Sequence, residues 1–379
     1  MKKTIASILM IGVLVSPMVA ADYKSLDSEK GSGGYAITAF DRNASRKVAL
    51  GGYFDTEFIS KDGSSTFRAH RLVLETSAQL HKNLLFSSEI EFEYGAKIAG
   101  DSTDTDGELK IEQVWFDYRL NDALTTRTGI VLVPFGRLNQ LHDSDVRDTT
   151  ERGVFAKYIV PTTWSDTGAG LLGQLEFGDV EVSYEGYLIN GLNAAPTAAK
   201  GIRSSRPGFK TDNNENKAIV GRLGLSPYQG LVVGVSGYTG TYDTDGDKSI
   251  GMFGLDASWK NGPAEVVAEW AQIDANQETS ATPQTLSGYY VEGRYHLSPA
   301  WLKSGLPDFK HPVITLFGRL GSVDLDTSVE DSMDITQYTF GLNFRPIENV
   351  AYKFEYEINE EKTDATDNNA FIASIAVGF

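Results

Sequence analysis

Between Pro134 and Ser165, charges of both signs stand within a few residues of one another: Arg137, His142, Asp143, Asp145, Arg147, Asp148, Glu151, Arg152 and Lys157. Three kinds of chemistry could use such a stretch. For hydrolysis, His142-Asp143-Ser144 contains the residue types of a triad, but three adjacent residues cannot converge in the order a triad needs. No other nucleophile–base pair stands out, and the His-x-Ser-Asn-Gly pattern of an outer-membrane phospholipase is absent, so no catalytic residue is predicted. For metal binding, Asp104, Asp106 and Glu108, and separately Asp243, Asp245 and Asp247, approach calcium-loop spacing around Gly107 and Gly246. Neither stretch ends in the bidentate Glu that completes the pattern. His70, His81, His296 and His311 show no metal-ligand spacing. The expectation is no metal and no cofactor, with the acidic stretches as solvated loop tips. The third chemistry is electrostatic: charged side chains at a narrowing act on passing solutes through the local field. Four bases (Arg137, Arg147, Arg152, Lys157) against four acids (Asp143, Asp145, Asp148, Glu151) leave that field nearly balanced.

A loop this long is usually functional or disordered. Phe135, Leu138, Leu141, Val154, Phe155 and Ile159 give it apolar anchors, which argues for a folded loop, and folding inward is the expectation. The elements that hold it must be strands. Leu84, Phe86, Ser88, Ile90, Phe92, Tyr94, Ala96 and Ile98, mostly apolar, fall on one face at period two, and Ser87, Glu89, Glu91, Glu93 and Lys97 on the other. Tyr338, Phe340, Leu342 and Phe344 alternate with Gln337, Thr339, Asn343 and Arg345. Tyr352, Phe354, Tyr356 and Ile358 alternate with Lys353, Glu355, Glu357 and Asn359. Strands that are apolar on one face and charged on the other fit a barrel with lipid outside and water inside.

Turn signals at His81–Asn83, Asn121-Asp122, Gly178-Asp179, Pro227–Gly230, Asn261–Pro263 and Pro346–Asn349 alternate with longer polar stretches. They divide residues 47–379 into about sixteen strands, an even number that leaves both termini on one side. The expected starts are 47, 67, 84, 109, 124, 167, 180, 217, 231, 249, 264, 286, 312, 334, 350 and 369. Ser298 to His311 breaks the pattern, because a short turn is expected there and the stretch is long, with Pro299, Trp301 and Pro307. The fold class is thus an all-β transmembrane antiparallel barrel, with residues 134–165 as a constriction loop in the third long-loop position.

On the inward face the alternation places Arg71, Lys97, Arg119, Arg127, Arg222, Lys260, Arg294, Arg319, Arg345 and Lys353. It also places there Glu75, Glu89, Glu91, Glu93, Glu112, Asp117, Glu176, Glu181, Glu185, Asp256, Glu265, Glu269, Glu292, Glu355 and Glu357. The wall residues expected to act on a solute are Arg127, Arg222, Arg294, Arg319, Arg345, Glu89, Glu91, Glu265 and Glu269. Facing rows of arginine and carboxylate would make a transverse field. Outward aromatics such as Tyr94, Trp259, Tyr289, Tyr295, Tyr352, Tyr356 and Phe379 fit interface girdles.

The ends agree with an exported barrel. Lys2 and Lys3, the apolar run from Ile5 to Val15 and Val19-Ala20-Ala21 read as a secretory signal peptide over residues 1–21. Residues 22–46 are a polar, glycine-rich lead-in. The last strand alternates up to a terminal Phe379, an edge that a soluble protein would have to protect. Cys is absent, so no disulfide staples the chain. A net charge of −17 argues against a nucleic-acid partner.

The stretch Arg127-Thr128-Gly129 through Pro134–Asn139, then His142-Asp143, Asp148, Arg152, Ile159–Gly168 and Tyr187–Leu192, resembles the phosphate-selective porin O/P family of outer-membrane porins. The motif-level likeness covers roughly residues 124–193; elsewhere it is one of architecture. The resemblance implies a homotrimeric diffusion channel in the outer membrane of a Gram-negative bacterium, with an inward-folded third loop. It also implies an anion preference carried by lumenal Arg and Lys, and contact with outer-membrane lipids and lipopolysaccharide. The chain departs from that pattern in its balanced loop and its excess of wall carboxylates. A general or weakly selective channel for small hydrophilic solutes is therefore expected, with anions such as phosphate among them. The competing expectation is a barrel with a plugged lumen in a structural or adhesive role.

Overall fold

A computed structural model of the chain describes residues 47–61, 63–96, 107–277, 279, 282–309, 312–329, 334–362 and 368–379. The signal peptide and lead-in read from the sequence lie outside these residues, as do Asp104, Asp106 and Lys97. Sixteen strands follow one another: β1 Lys47–Lys61, β2 Ser64–His81, β3 Leu84–Glu93, β4 Glu108–Asn121, β5 Leu124–Leu132, β6 Ser165–Phe177, β7 Val180–Ile189 and β8 Ala218–Tyr228 in the first half. The second half comprises β9 Leu231–Thr241, β10 Ser249–Asn261, β11 Ala264–Ala275, β12 Thr285–Leu297, β13 Val313–Asp324, β14 Ile335–Ile347, β15 Val350–Glu361 and β16 Ala370–Gly378. Each pairs antiparallel with its sequence neighbours, and β1 pairs with β16, closing the barrel. Closure removes the edge that the terminal strand would otherwise expose. Phe379 completes the seam: its N–H donates to the Gly52 carbonyl at 2.9 Å, and its own carbonyl accepts from Gly52 N–H at 3.2 Å.

The two faces are distributed as a lipid-embedded barrel requires. Phe253, Leu255, Phe340, Phe354, Tyr356 and Phe371 are exposed on the outside, whereas Asp256, Thr339, Lys353 and Glu355 are buried inside. This inverts the soluble pattern, as expected where the outer solvent is hydrocarbon and the inner one water. Tight turns fall where the sequence placed them, and strand starts agree to within a few residues.

One expectation needs correction, and one stretch that broke the turn pattern is accounted for. The alternation expected to run from Leu84 to Ile98 stops at Glu93, because Tyr94 and Ala96 turn into the left-handed region (φ 47° and 55°). The long stretch after β12 is a connection holding a short helix, α2 Ala300–Gly305, and Ser298 Oγ donates to the Pro312 carbonyl. The strand count of sixteen is unaffected.

One irregularity positions a side chain used below. In the β3–β4 ladder Glu89 faces Gln113 and Ile90 faces Ile111, so Glu112 is the extra residue of a bulge. A bulge re-aims the side chain it carries; Glu112 is fully buried.

Candidate functional site

The segment between β5 and β6, residues 133–164, includes one short helix, α1 Gly153–Tyr158. Its apolar residues Val133, Phe135, Leu138, Val154, Phe155, Ile159, Val160 and Trp164 are buried in one cluster with Tyr187, Tyr238, Ile250, Tyr290 and Val323 of the wall. Asn139 ties the two ends of the segment together. Its Nδ2 donates to the carbonyls of Val133 and Trp164, both at 2.9 Å, and its Oδ1 accepts from Trp164 N–H at 2.8 Å. Gly136 adopts φ +70°, a backbone conformation that favours glycine, and a Cβ there would stand 2.4 Å from Glu269 Oε2, so the carboxylate would have to shift.

The segment's backbone is bonded to side chains of distant strands. Gly136 N–H donates to Ser236 of β9 at 3.1 Å. Arg137 and Leu138 N–H donate to Glu269 of β11 at 3.0 and 2.7 Å. Thr150 and Glu151 N–H donate to the two carboxylate oxygens of Glu355 of β15 at 2.7 and 2.8 Å. In the other direction, Arg319 of β13 donates to Glu151 O and to Thr149 Oγ1, at 3.2 and 2.8 Å. Arg345 of β14 donates to the carbonyls of Val146 and Arg147, and Lys353 of β15 to those of Ser144 and Thr149. Strand β13 lies eight strands from β5 in either direction round the barrel.

The candidate residues separate into groups when their partners are read. Arg147 is spent on the segment itself: its guanidinium donates to the carbonyls of His142 and Thr150 and to Ser144 Oγ. Asp148 accepts from Asn343 at 2.9 Å and lies 3.7 Å from Arg294. Asp145 is half-buried, and burial together with the neighbouring Asp143 pushes its carboxyl up to about 7. Lys157 is exposed at the end of α1, its Nζ 5.0 Å from the Tyr158 ring. Arg152 donates to Thr163 Oγ1 through Nη1 at 3.4 Å, while its Nε and Nη2 have no hydrogen-bond partner among the described residues. Arg137 contributes its backbone to Glu269 and makes no ion pair within 4.0 Å among the described residues. Of the segment's four bases, Arg137 and Arg152 are therefore half-buried and in no ion pair within 4.0 Å among the described residues, and the two unpartnered nitrogens of Arg152 are enclosed.

The wall arginines are paired locally and do not form a row facing carboxylates. Arg127 makes a two-pronged pair with Asp117 at 2.7 and 2.8 Å, with its guanidinium 3.5 Å from the Trp115 ring centre. Arg222 pairs the same way with Asp256 at 2.9 and 2.6 Å. Glu292 bridges Arg294 and Arg319, and Arg294 also reaches Glu265 at 3.0 Å. Glu91 pairs with Arg71 at 2.8 Å, and Glu89 accepts from Gln113 at 2.6 Å. Such fork-to-carboxylate pairs cancel their charge at short range.

The triad-like residues are not arranged for hydrolysis. His142 Nδ1 lies 3.0 Å from the Asn139 carbonyl and Nε2 lies 3.0 Å from Glu112, so neither ring nitrogen is bonded to Ser144. Asp243 of the second acidic stretch caps its own turn, accepting from the N–H groups of Asp247 and Lys248. Glu112, Glu292, Lys353 and Glu355 hold the arrangement together, and the candidate set read from the sequence omits them. Their inward alternation was visible in the sequence; their partners were not.

The family model for phosphate-selective porin O and P matches residues 51–252. An uncharacterized protein of Aquifex aeolicus (strain VF5) is 27% identical over 360 residues, covering 86% of this chain and 79% of that one. Among solved structures, the anion-selective porin from Comamonas acidovorans superposes with a TM-score of 0.55 at 15% identity, covering 88% of this chain and all (100%) of that one. Outer-membrane expressed OmpT of Vibrio cholerae gives 0.55 at 11% identity, over 90% of this chain and 100% of that one. The outer membrane channel DcaP of Acinetobacter baumannii gives 0.54 at 12%, over 90% and 99%. At these identities the structural likeness concerns the fold, a closed barrel of the outer membrane; the family follows from the sequence match, and the chain belongs to the phosphate-selective porin O and P family of outer-membrane channels.

Proposed function

We propose that residues 133–164 fold into the lumen as a constriction, and that small hydrophilic solutes and ions diffuse past them with a weak preference for anions such as phosphate. One observation carries this reading. A segment rooted on β5 hydrogen-bonds Arg319, midway along β13 and halfway round the barrel. The straight path between those strands crosses the lumen. The preference is assigned to Arg137 and Arg152, because the wall arginines are paired with carboxylates. The excess of wall carboxylates keeps that preference weak. The role is passive transport, supported by the family, and His142 is engaged by Asn139 and Glu112 and not by Ser144.

On the same reading, residues 1–21 are a signal peptide that sends the chain to the outer membrane of a Gram-negative cell, where lipids and lipopolysaccharide surround it. Assembly as a homotrimer is supported by the family and by the trimer form described for OmpT of Vibrio cholerae. Reversal potentials across a salt gradient in planar bilayers test the assignment of charge. The wild type is expected to pass anions in modest excess. Arg137→Ala and Arg152→Ala are each expected to move the reversal potential by several millivolts toward cation passage. A wild type that prefers cations, or two variants with unchanged potentials, would remove Arg137 and Arg152 from the selective role.

A further inference from the structure

Four buried side chains that are distant in sequence converge at one place on the wall: Glu89 of β3, Glu112 at the β4 bulge, and His142 and Asp143 of the segment. One ligand-type atom from each lies within 4.8 Å of the others. Two of the contacts are closer, with His142 Nε2 3.0 Å from Glu112 Oε2 and 3.6 Å from Asp143 Oδ1. Ligand atoms around a tetrahedral zinc, at bond lengths of about 2.1 Å, stand roughly 3.4 Å apart. The cluster therefore needs only a modest contraction at its widest point to close on an ion.

Three further features point to a cation there. Glu89 Oε1 and Asp143 Oδ1 have no hydrogen-bond partner, although both residues are more than nine-tenths buried (3% and 8% exposed). A buried carboxylate oxygen without a partner is costly. No Lys or Arg lies within 4.0 Å of the three carboxylates among the described residues, so His142 is the one cationic side chain in direct contact, with Lys110 and Arg152 acting on Glu112 from farther off. His142 is already oriented as a ligand. The Asn139 carbonyl can only accept, so Nδ1 carries a proton, and Nε2 faces the carboxylates; without an ion it shares a proton with Glu112, and a metal would take the place of that proton. Metal-bound histidines are commonly fixed in this way by a carbonyl on the far nitrogen. Glu112 is held from its other side, accepting from Thr163 Oγ1 at 2.6 Å.

We propose that Glu89, Glu112, His142 and Asp143 bind one divalent first-row transition cation. The imidazole favours such an ion over calcium, which takes six to eight oxygens. The ion would pin the segment to the β3–β4 wall and replace the repulsion of three carboxylates with four bonds. The site stands whether or not the lumen conducts.

Full-length protein in detergent is loaded with Zn2+, dialysed against metal-free buffer and assayed for metal per chain, with Mn2+ and Ca2+ run in parallel. The wild type is expected to retain one Zn2+ per chain and to resist heat unfolding better with Zn2+ than after chelation. Glu89→Gln and Asp143→Asn keep the side-chain size and are each expected to weaken binding by about tenfold or more. Their folding is checked by heat-modifiable migration. Wild-type protein that keeps neither Zn2+ nor Mn2+ above a detergent blank would overturn the proposal and leave a protonated His142 as the partner of Glu112. Ca2+ bound as well as Zn2+ would overturn the assigned class of ion. If a variant does not fold, the wild-type metal content and the Zn2+-dependent heat shift decide alone.

Discussion

Excising residues 137–158, with Gly136 joined to Ile159 by a short glycine linker, is expected to raise single-channel conductance severalfold and to erase the difference between anion and cation passage. The segment bonds to β9, β11, β13, β14 and β15, and on the proposed inward fold it lies across the passage that water and ions would take. The barrel's own stability comes from sixteen closed ladders, none of which uses the segment. Its wall carboxylates Glu269 and Glu355 lose their segment partners on excision and Glu112 loses His142 while keeping Thr163, but water entering the vacated lumen solvates them. The variant should therefore still run as a folded, heat-modifiable barrel. Unchanged conductance in such a folded variant would place the narrow point elsewhere.

The second large effect is expected from Glu292→Gln. Glu292 is fully buried and its two oxygens serve two guanidinium groups, Arg294 and Arg319 at 2.6 Å for the latter. Removing the charge leaves Arg319 with no carboxylate within 4.0 Å among the described residues, while Arg294 keeps Glu265 and Asp148, and breaking a buried pair from one side costs about 3 kcal/mol. The loss should appear as a lower heat-unfolding midpoint in detergent. It should also appear in the channel, because Arg319 holds the Thr149–Glu151 end of the segment. Noisier current from a looser segment is expected alongside the stability change. A midpoint equal to that of the wild type would mean that lumen water solvates this group well enough to make the pair dispensable.

The barrel was legible because period-two alternation survives wherever one face meets lipid and the other water. Tyr352 to Glu357 is a plain case, with exposed aromatics alternating with buried Lys353, Glu355 and Glu357. Strand ends were less so. Nothing in the composition of residues 84–98 announces that Tyr94 and Ala96 take left-handed backbone and end β3 early. The Glu112 bulge is similarly silent in sequence, since one skipped pairing depends on the neighbouring strand.

Within the segment, the sequence marked the charged residues but not their employment. Arg147 and Arg152 look alike in the chain, yet one is consumed by the carbonyls of its own loop and the other keeps two unpartnered nitrogens. Glu355 and Glu269, which hold the segment's N–H groups, are more than a hundred residues away from it. Convergence of this kind follows from which strands the closed barrel brings near the segment, and local periodicity does not encode it.

Single-channel recording of the purified full-length protein in planar lipid bilayers bears most directly on the role of this barrel. Stepwise, ohmic insertion events at moderate voltage are the predicted result. Heat-modifiable, correctly folded protein that inserts and yet passes no current would contradict it, and would make residues 133–164 a plug.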